Sequence, residues 1–396
     1  MKWAKERANQ PQPLPQLPQL VVKDSNGQIL KTATTVLEKA EVLSDKFFPR
    51  PREANLADTV GYEYPDPVTT PEEISAQEIT DALRWVSPNK APGPDVILNK
   101  ALKAAQEWLA PRLVTVFNAT LRNGYHPNEW KRSVTLTLRK LKKGDYTDPK
   151  LYRPIALLNT IGKLLERVIA SRISQLAETN SLLPETQMGA RPGRSAETAI
   201  QMITEQVQAI WGRPGPQQVA TLLSLDISGA FDHVSHERLL HNLRKRRIPE
   251  IIVRWVTSFL KDRQTKIKLP EGESGWLRTD TGIPQGSPLS PILFLFFIAD
   301  LLDTINNEEL RVSAVGFVDN VNILTYGRST ERNCETLSEI HRKCMQWAET
   351  HGAKFAPEKY EVLHLTRARN KFNLKATPVL EGIQINAKTY IRLLGV

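Results

Sequence analysis

The chain has 396 residues, a formal net charge of +10 and a sequence pI near 9.5. It is long enough to bury a core in two or three domains, and its charge favours a polyanionic partner, nucleic acid before an anionic membrane surface. No signal-peptide segment opens the sequence, the apolar run over residues 288–302 is too short to span a bilayer, and the two cysteines lack zinc-site spacing. We therefore expect an intracellular protein, nuclear or cytoplasmic, with free thiols and no membrane contact.

The first part of the chain, residues 1–70, is predicted to be a proline-rich, largely flexible linker that contains one amphipathic helix. Proline and glutamine dominate residues 8–20, so we expect an extended segment with nothing to pack. Helical spacing of apolar residues predicts the helix over residues 36–48, and proline-rich residues 49–71 predict a second linker. The compact part is predicted to start with a helix that Thr70 caps and that ends near Val86.

The rest of the chain alternates between helical and strand patterns. Apolar periodicity predicts helices over residues 97–108, 160–177, 196–211, from 236 onward, 248–260, 288–302 and 330–351. Shorter β-type runs predict strands over residues 131–141, 219–227, 265–269, 275–279, 361–365 and 391–394. Loops rich in glycine and proline separate several of these elements, at residues 87–95, 187–195 and 282–291.

Two acidic residues stand in unusually apolar, β-branched surroundings. Asp319 and Asn320 interrupt the apolar run over residues 312–324, which predicts a hairpin with a polar tip, and Asp226 closes the strand before it. A carboxylate in such a setting is costly unless it is paired or holds a metal, although an ordinary solvent-facing turn is the alternative. Two carboxylates on neighbouring strands can hold two cations roughly 3.5–4 Å apart, which assist in-line phosphoryl transfer. Oxygen ligands favour Mg²⁺ or Mn²⁺ over zinc.

Nearby residues fit a phosphate-bearing ligand. Arg153 and Lys140 lie on the basic side, residues 284–286 form a glycine-containing turn, and Phe231 follows Asp226 closely enough to wall the same pocket. Each has an alternative when taken singly: Arg153 as part of a surface ion pair, residues 284–286 as a plain turn and Phe231 as a core residue.

Short motifs follow one another from about residue 73 to the end of the chain, at residues 89–95, 152–158, 187–195, 225–232, 282–291, 317–320, 359 and 393–396. In type and order they resemble the motifs of reverse transcriptases from non-long-terminal-repeat (LINE-like) retrotransposons, most closely fungal elements of the Tad type. Several ordered matches carry far more weight than one short match would. The resemblance implies RNA-directed DNA polymerisation with an RNA template, a DNA primer, deoxynucleoside triphosphates and Mg²⁺, with Mn²⁺ as a substitute.

Carried over residue by residue, the resemblance implies specific roles. The catalytic set would be Asp226, Asp319, Asn320 and Lys359, and the metal ligands Asp226, Asp319 and the backbone carbonyl of Ile227. Phe231 would be the steric gate against a ribose 2′-hydroxyl, and Lys359 would protonate or orient the leaving pyrophosphate. The nucleotide-binding set would be Lys140, Arg153, Phe231, Gln285 and Gly286. We expect Asp232 to be structural.

The resemblance also implies the architecture: an α/β (α+β) fold with right-hand fingers and palm, in which helices back a small antiparallel sheet and the thumb is missing. We expect fingers and the start of the palm at residues 71–215 and the rest of the palm at residues 216–396, so that the chain is a fragment of a longer open reading frame.

One departure bears on activity. Asn320 replaces the second aspartate of the family's motif, giving Phe-Val-Asp-Asn, so we expect an impaired enzyme. The main alternative is a catalytically inactive, nucleic-acid-binding remnant of such a polymerase. A metal-dependent nuclease or phosphatase would also use paired carboxylates, but it leaves the motifs at residues 152–158 and 284–286 unexplained.

Overall fold

The computed structural model describes residues 16–24, 26–50, 52–140 and 144–395. Within these ranges it is a mixed α/β structure with ten α-helices and several small sheets, which confirms the predicted fold class. None of the helices found there combines the length and the apolar character that crossing a membrane requires.

The largest sheet has six strands. In spatial order they are β15 (Ala387–Lys388), β12 (Glu361–Leu365), β6 (Val219–Asp226), β11 (Asn320–Gly327), β10 (Val312–Phe317) and β5 (Gln187–Met188). The four central strands are antiparallel, whereas the two short outer strands run parallel to their neighbours. The predicted hairpin is confirmed as β10 and β11, and the predicted strand that ends in Asp226 is confirmed as β6.

Helices cover both faces of this sheet. They are α6 (Ala196–Trp211) on one face, and α9 (Ser290–Ile305) and α10 (Thr330–His351) on the other. Leu222 of β6 belongs to the core beside α6, and its neighbour Leu223 belongs to the core beside α9 and α10. Because both faces are buried, the strands are continuously apolar instead of alternating. The two acids therefore stand out sharply where β6 and β10 end.

A second sheet has five strands, drawn from two distant parts of the chain. They are β3 (Arg132–Arg139), β4 (Tyr152–Leu158), β7 (Gln264–Leu269), β8 (Gly272–Glu273) and β9 (Leu277–Arg278). β3 pairs in parallel with β7, so the sheet joins residues from both sides of the predicted boundary at residue 215. The predicted pairing of residues 265–269 with 275–279 is confirmed by β7 and β9. The domain boundaries themselves stay predictions.

The N-terminal segment is packed where the sequence indicated a linker. From Gln16 on, it forms β1 (Leu20–Lys23), β2 (Ile29–Ala33) and α1 (Val36–Phe47), which agrees with the one predicted helix. Leu20 and Leu43 are fully buried in a core that also contains Tyr152 and Ile267 of the second sheet. The expectation of nothing to pack is therefore wrong for the described residues up to Leu20, because leucines between the prolines find an apolar partner. The predicted extended segment at residues 8–15 lies outside the described residues.

The segment after α1 also makes specific contacts. Arg238, which is 1% exposed, forms an ion pair of 2.6 Å with Asp58. The Tyr64 hydroxyl lies 2.9 Å from Nδ1 of His241. Residues 52–68 thus lie against the helix that carries both partners, which the composition of a second linker did not indicate.

The remaining helices are α2 (Ala76–Arg84), α3 (Asn99–Ala104), α4 (Gln106–Arg122), α5 (Thr160–Thr179), α7 (His236–Lys245) and α8 (Glu250–Leu260). The predicted cap at Thr70 is wrong: Ser75 caps α2 in a capping box with Glu78. The single helix predicted over residues 97–108 is two helices, the second of which continues to Arg122. No strand forms over residues 391–394, whose apolar side chains instead pack beside α6.

Candidate active site

The two acids predicted as metal ligands lie together at one end of the six-stranded sheet. Strand register places Asn320 opposite Asp226, and the backbone N–H of Ile227 donates to the backbone carbonyl of Asp319 at 3.2 Å. Asp319 lies in the turn between β10 and β11. The local fold that achieves this is a hairpin whose second strand pairs directly with the strand that ends in Asp226.

The hairpin turn itself has an uncommon backbone. Val318, directly before Asp319, has φ of 52°, a left-handed conformation that is unfavourable for a β-branched residue. Gly189 packs against it: a Cβ on Gly189 would lie 2.9 Å from Val318 Cγ2. The motif at residues 187–195 therefore packs against the hairpin turn, and glycine at position 189 allows its backbone to approach the Val318 side chain closely.

The electrostatics of the pair are those of crowded carboxylates. Burial raises the pKa of Asp319 above its usual range, and the neighbouring Asp226 carboxylate raises it further. Nζ of Lys359 lies 2.6 Å from Oδ1 of Asp226. Nδ2 of Asn320 donates to Oδ1 of Asp319 at 3.2 Å. All four predicted catalytic residues are thus brought together.

Backbone contacts fix the lysine beside the acid. The N–H of Ala356 donates to the Asp226 carbonyl at 2.9 Å, and the N–H of Ser228 donates to the Lys354 carbonyl at 2.7 Å. Lys359 follows in a short 3₁₀ turn, Pro357–Lys359. Ile227 is buried, and no backbone N–H in the described ranges donates to its carbonyl oxygen, the third predicted metal ligand.

These donors fit a hard divalent cation. Asp226, Asp319, the amide oxygen of Asn320 and the orphaned Ile227 carbonyl offer oxygen atoms only, which is the ligand chemistry of Mg²⁺ and Mn²⁺. Across residues 16–24, 26–50, 52–140 and 144–395, no group of three or more His, Cys, Asp or Glu side chains forms a potential metal site. At this end of the sheet Asp226 and Asp319 are the two neighbouring carboxylates, and Asn320 adds an amide group beside them.

A second group of predicted residues lies around the loop at residues 282–287. The backbone N–H of Ile283 donates to the Phe231 carbonyl at 2.8 Å, and the Phe231 ring stacks on Phe294 at a centroid distance of 5.2 Å. Gly282 approaches the same backbone so closely that a Cβ would lie 2.5 Å from the Phe231 carbonyl oxygen. Phe231 is half-buried, so one part of its ring contacts the core and another is accessible.

Of the two predicted basic residues, Arg153 lies on β4 of the second sheet and Lys140 directly follows β3. β4 also contacts the loop at residues 282–287. The N–H of Ala156 donates to the Gln285 carbonyl at 2.7 Å, and a Cβ on Gly286 would lie 2.4 Å from the Ala156 carbonyl oxygen. Arg153, on the same strand, is exposed. Nζ of Lys140 donates to the Lys150 carbonyl at 2.8 Å, so this lysine is engaged within its own loop.

The sequence did not indicate the part played by Asp232. Nε2 of Gln285 donates to Oδ1 of Asp232 at 2.7 Å, which orients the predicted nucleotide-binding amide. Burial raises the pKa of Asp232 to about 6, and the hydrogen bond from Gln285 opposes that rise. The signal available in the sequence was an acid directly after the predicted steric gate.

Two further supports of the site escaped the sequence patterns. Glu166 is fully buried and accepts a hydrogen bond of 2.5 Å from Oγ of Ser287, which anchors the loop that carries Gln285. Asp95 accepts a hydrogen bond of 2.7 Å from the backbone N–H of Thr160, and Gly93 leaves no room for a Cβ against the Leu158 carbonyl. The motif at residues 89–95 is therefore docked where β4 joins α5.

Comparison with known proteins gives one consistent result. Residues 140–396 match the family model described as reverse transcriptase (RNA-dependent DNA polymerase). The chain is 29% identical, over 76% of its length, to the probable RNA-directed DNA polymerase from transposon BS of Drosophila melanogaster, of which it covers 33%. It is 30% identical over 68% of its length to the probable RNA-directed DNA polymerase from transposon X-element of the same species, covering 29%.

A third relative shares more of the chain. It is the RNA-directed DNA polymerase from mobile element jockey of Drosophila melanogaster, 26% identical over 86% of this chain and 38% of that protein. The chain thus spans about a third of the length of the curated relatives that it matches.

Proposed function

The chain belongs to the reverse transcriptase (RNA-dependent DNA polymerase) family, and on this premise we propose that it extends a DNA primer by copying an RNA template. The observation that carries the proposal is the convergence of Asp226 and Asp319 at the end of one sheet, with Lys359 beside them. A half-buried pair of neighbouring acids of this kind is stable when a cation neutralises it. Under the same proposal, the protein acts in the nucleus or the cytoplasm.

Each residue has a distinct part in this proposal. Asp226, Asp319 and the Ile227 carbonyl would hold Mg²⁺, and the bound cation would supply positive charge for phosphoryl transfer. Lys359 is held by Asp226 at 2.6 Å and can turn towards the leaving pyrophosphate, to which it donates a proton or a hydrogen bond. The Lys359 side chain is 55% exposed.

The second group binds the incoming deoxynucleoside triphosphate. Phe231 lies against the sugar, where a 2′-hydroxyl would clash with the ring. Gln285, oriented by Asp232, and Gly286 contact the nucleotide and the template. Arg153 and Lys140 supply positive charge to the triphosphate, and the exposure of Arg153 allows a direct contact.

The architecture follows the right-hand polymerase arrangement. The six-stranded sheet with α9 and α10 corresponds to a palm, because it carries both acids. The five-stranded sheet with the helices before it corresponds to fingers, because it carries Arg153 and contacts the loop of Gln285. A relation to fungal Tad-type elements remains part of this proposal.

One observation favours a second function. Asn320 stands opposite Asp226 and contributes no negative charge to a site for two cations. A remnant that binds nucleic acid without catalysis is therefore the alternative. Lys359 lies beside Asp226 in either case.

Primer extension on an RNA template distinguishes the two functions. We expect Mg²⁺-dependent synthesis by the full chain and none by Asp226→Ala, while both bind a primer–template duplex equally, because template affinity comes from Lys and Arg. Asp81→Ala is the matched control and should leave synthesis unchanged, because it removes an acid whose side chain is 48% exposed and which contacts Arg84 and Gln77 on its own helix. Synthesis that survives in Asp226→Ala would disprove the metal assignment.

A further inference from the structure

A basic and aromatic surface lies at the end of the six-stranded sheet that is remote from Asp226. We call it the distal arginine patch, and it consists of Trp211, Arg213, Arg311, Tyr326 and Arg367. The guanidinium carbons of Arg213 and Arg311 lie 4.4 and 5.6 Å from the centre of the Tyr326 ring. That of Arg367 lies 5.1 Å from the centre of the Trp211 ring. All three arginines are exposed.

Strand register fixes the position of this patch. Tyr326 of β11 and Leu365 of β12 both lie opposite Ala220 of β6. The indole N–H of Trp211 donates to the Leu365 carbonyl at 3.3 Å, which ties the two rings to the same end of the sheet. Along β6, six residues separate Ala220 from Asp226, a distance of about 20 Å at ~3.3 Å per residue. The patch therefore lies outside the candidate active site.

The three guanidinium groups lack carboxylate partners: among the described residues none of them forms an ion pair or donates a hydrogen bond. A second aromatic ring shows the contrast, because Arg132 and Lys266 lie 5.4 and 5.1 Å from the centre of Trp276. There, Arg132 pairs with Glu129 at 3.1 Å. Lys266 pairs with Glu273 at 2.8 Å. Both cations over the Trp276 ring therefore have a carboxylate partner. The two arginines over the Tyr326 ring have none among the described residues.

This arrangement has the chemistry of a phosphate-binding surface. A guanidinium stacked on a ring keeps its N–H edge available for two parallel hydrogen bonds to a phosphate. Two like charges over one ring repel, and an anion between them removes that cost. Trp211 and Tyr326 are half-buried against the core, so the patch presents no fully exposed apolar anchor of the kind that inserts into a lipid surface.

We propose that the distal arginine patch binds the backbone of a single-stranded segment of RNA outside the catalytic cleft. The proposal rests on the proposed function, since an RNA template longer than the cleft supplies that segment. The patch and the acid pair then hold separate stretches of one RNA. Loss of the patch weakens the binding of long RNA and leaves binding of a short duplex in the cleft intact.

The test compares two triple variants of the full chain. One is Arg213→Gln with Arg311→Gln and Arg367→Gln. The matched control is Arg254→Gln with Lys261→Gln and Arg342→Gln, three exposed cations that have no ion pair within the described ranges. Both variants lose three positive charges, so a general electrostatic effect would be equal in the two. Because all six side chains are exposed, both variants should keep the thermal unfolding midpoint of the parent chain.

Fluorescence anisotropy measures binding of an unpaired RNA of about 40 nucleotides and of a short blunt RNA–DNA duplex over a range of salt concentrations. We expect the patch variant to bind the long RNA at least tenfold more weakly than the control variant. Its log–log salt slope should be smaller by about 2, as for roughly three lost phosphate contacts. Both variants should bind the short duplex equally. A Tyr326→Leu variant, which keeps the charges but removes the shared ring, should lose part of the same affinity.

The outcomes separate this proposal from the proposed function. If both triple variants bind long RNA equally, the patch is not an RNA site. If the patch variant instead loses binding only to vesicles that contain phosphatidylserine, the surface is a membrane contact and the proposal is wrong. Binding is measured without synthesis, so a chain that fails in primer extension but shows the expected difference refutes the polymerase function alone.

Discussion

Asn320 differs from an aspartate at the same position by one charge and one hydrogen-bonding group. Its amide donates to Asp319 at 3.2 Å, a contact that a second carboxylate could not make. Asn320 therefore stabilises the acid pair without a cation, while it removes negative charge that two divalent cations would share. Under the proposed function, the Asn320 side chain stabilises the metal-free site through its hydrogen bond to Asp319 and would lower the affinity of the site for two cations.

The first prediction concerns this trade. Asn320→Asp should raise Mg²⁺-dependent primer extension at least tenfold, because a charge-assisted contact contributes on the order of 1.5–3 kcal/mol. Without Mg²⁺ the variant should unfold at a lower temperature than the parent, and added Mg²⁺ should restore the midpoint. Asn386→Asp, at an exposed position just before β15, is the control and should change neither measurement. If Asn320→Asp gives no gain in synthesis, Asn320 is not what limits the activity.

The second prediction tests Phe231 as the wall of the sugar pocket. Phe231→Ala should raise the ratio of ribonucleotide to deoxynucleotide incorporation, because the discrimination is steric. The assay is single-nucleotide extension, run in the Asn320→Asp background for measurable turnover. Phe294→Leu removes the ring stacked on Phe231 at 5.2 Å but leaves the wall, so it should lower stability without changing that ratio. An equal ratio in both variants would make Phe231 a core residue.

Among the elements, α1 shows how a segment with linker-like composition becomes part of the core. A capping box of Thr35 and Glu38 begins the helix. Leu43 packs against the second sheet, and Lys39, which is 7% exposed, pairs with Glu271 at 2.8 Å. Burial of an ammonium group is costly unless it is paired, so this contact fixes the helix to the turn between β7 and β8.

The third prediction measures that packing. Leu43→Ala should lower the free energy of unfolding in urea by about 2–5 kcal/mol, because it leaves a cavity in a fully buried site. Leu37→Ala is the control in the same helix: Leu37 is 67% exposed and its loss should cost less than about 0.5 kcal/mol. Equal effects of the two changes would show that α1 does not pack against the sheet in solution.

At the scale of the whole molecule, buried histidines link stability to pH. His341 and His351 lie in the core around α10, and burial lowers the pKa of each to about 4. His126 lies among Trp130, Trp255 and Phe259, and burial lowers its pKa well below the usual value. All three are neutral in the native state and bind protons more readily once the chain unfolds.

The fourth prediction follows from that sign. Because the unfolded chain binds more protons between about pH 6.5 and 4, the free energy of unfolding should fall as the pH falls through this range, by about 3 kcal/mol for each of His341 and His351. His126→Phe should lessen the loss between pH 8 and pH 5. The measurement is urea unfolding of both chains at the two pH values. The pH 8 pair is the control, since His126, His341 and His351 are then neutral both in the native state and in the unfolded chain. A parallel decline in both chains would contradict the assignment of His126.

Local sequence patterns were enough to predict most of the helices and strands and the acids at their ends. α10 begins and ends at the predicted residues because Ser329 caps one end and Gly352, with φ of 65°, terminates the other. The hairpin around Asp319 and the strand of Asp226 were likewise predictable, because apolar runs and turn residues are local signals. The family motifs assigned roles to individual residues. Those assigned to catalysis lie together in the structure, and their roles stay predictions.

The contacts between distant groups depend on the tertiary packing and could not be predicted from the sequence. Lys359 lies 133 residues from Asp226 in sequence, and Gln285 lies 53 residues from Asp232, yet each pair forms a hydrogen bond. Strand order and register bring them together, and these depend on how whole sheets pack. The same reason explains the buried N-terminal segment, because an apolar side chain between prolines gives no indication of the surface that will cover it. Local periodicity fixes the direction of a side chain relative to its own element, whereas its partner depends on the packing of every other element.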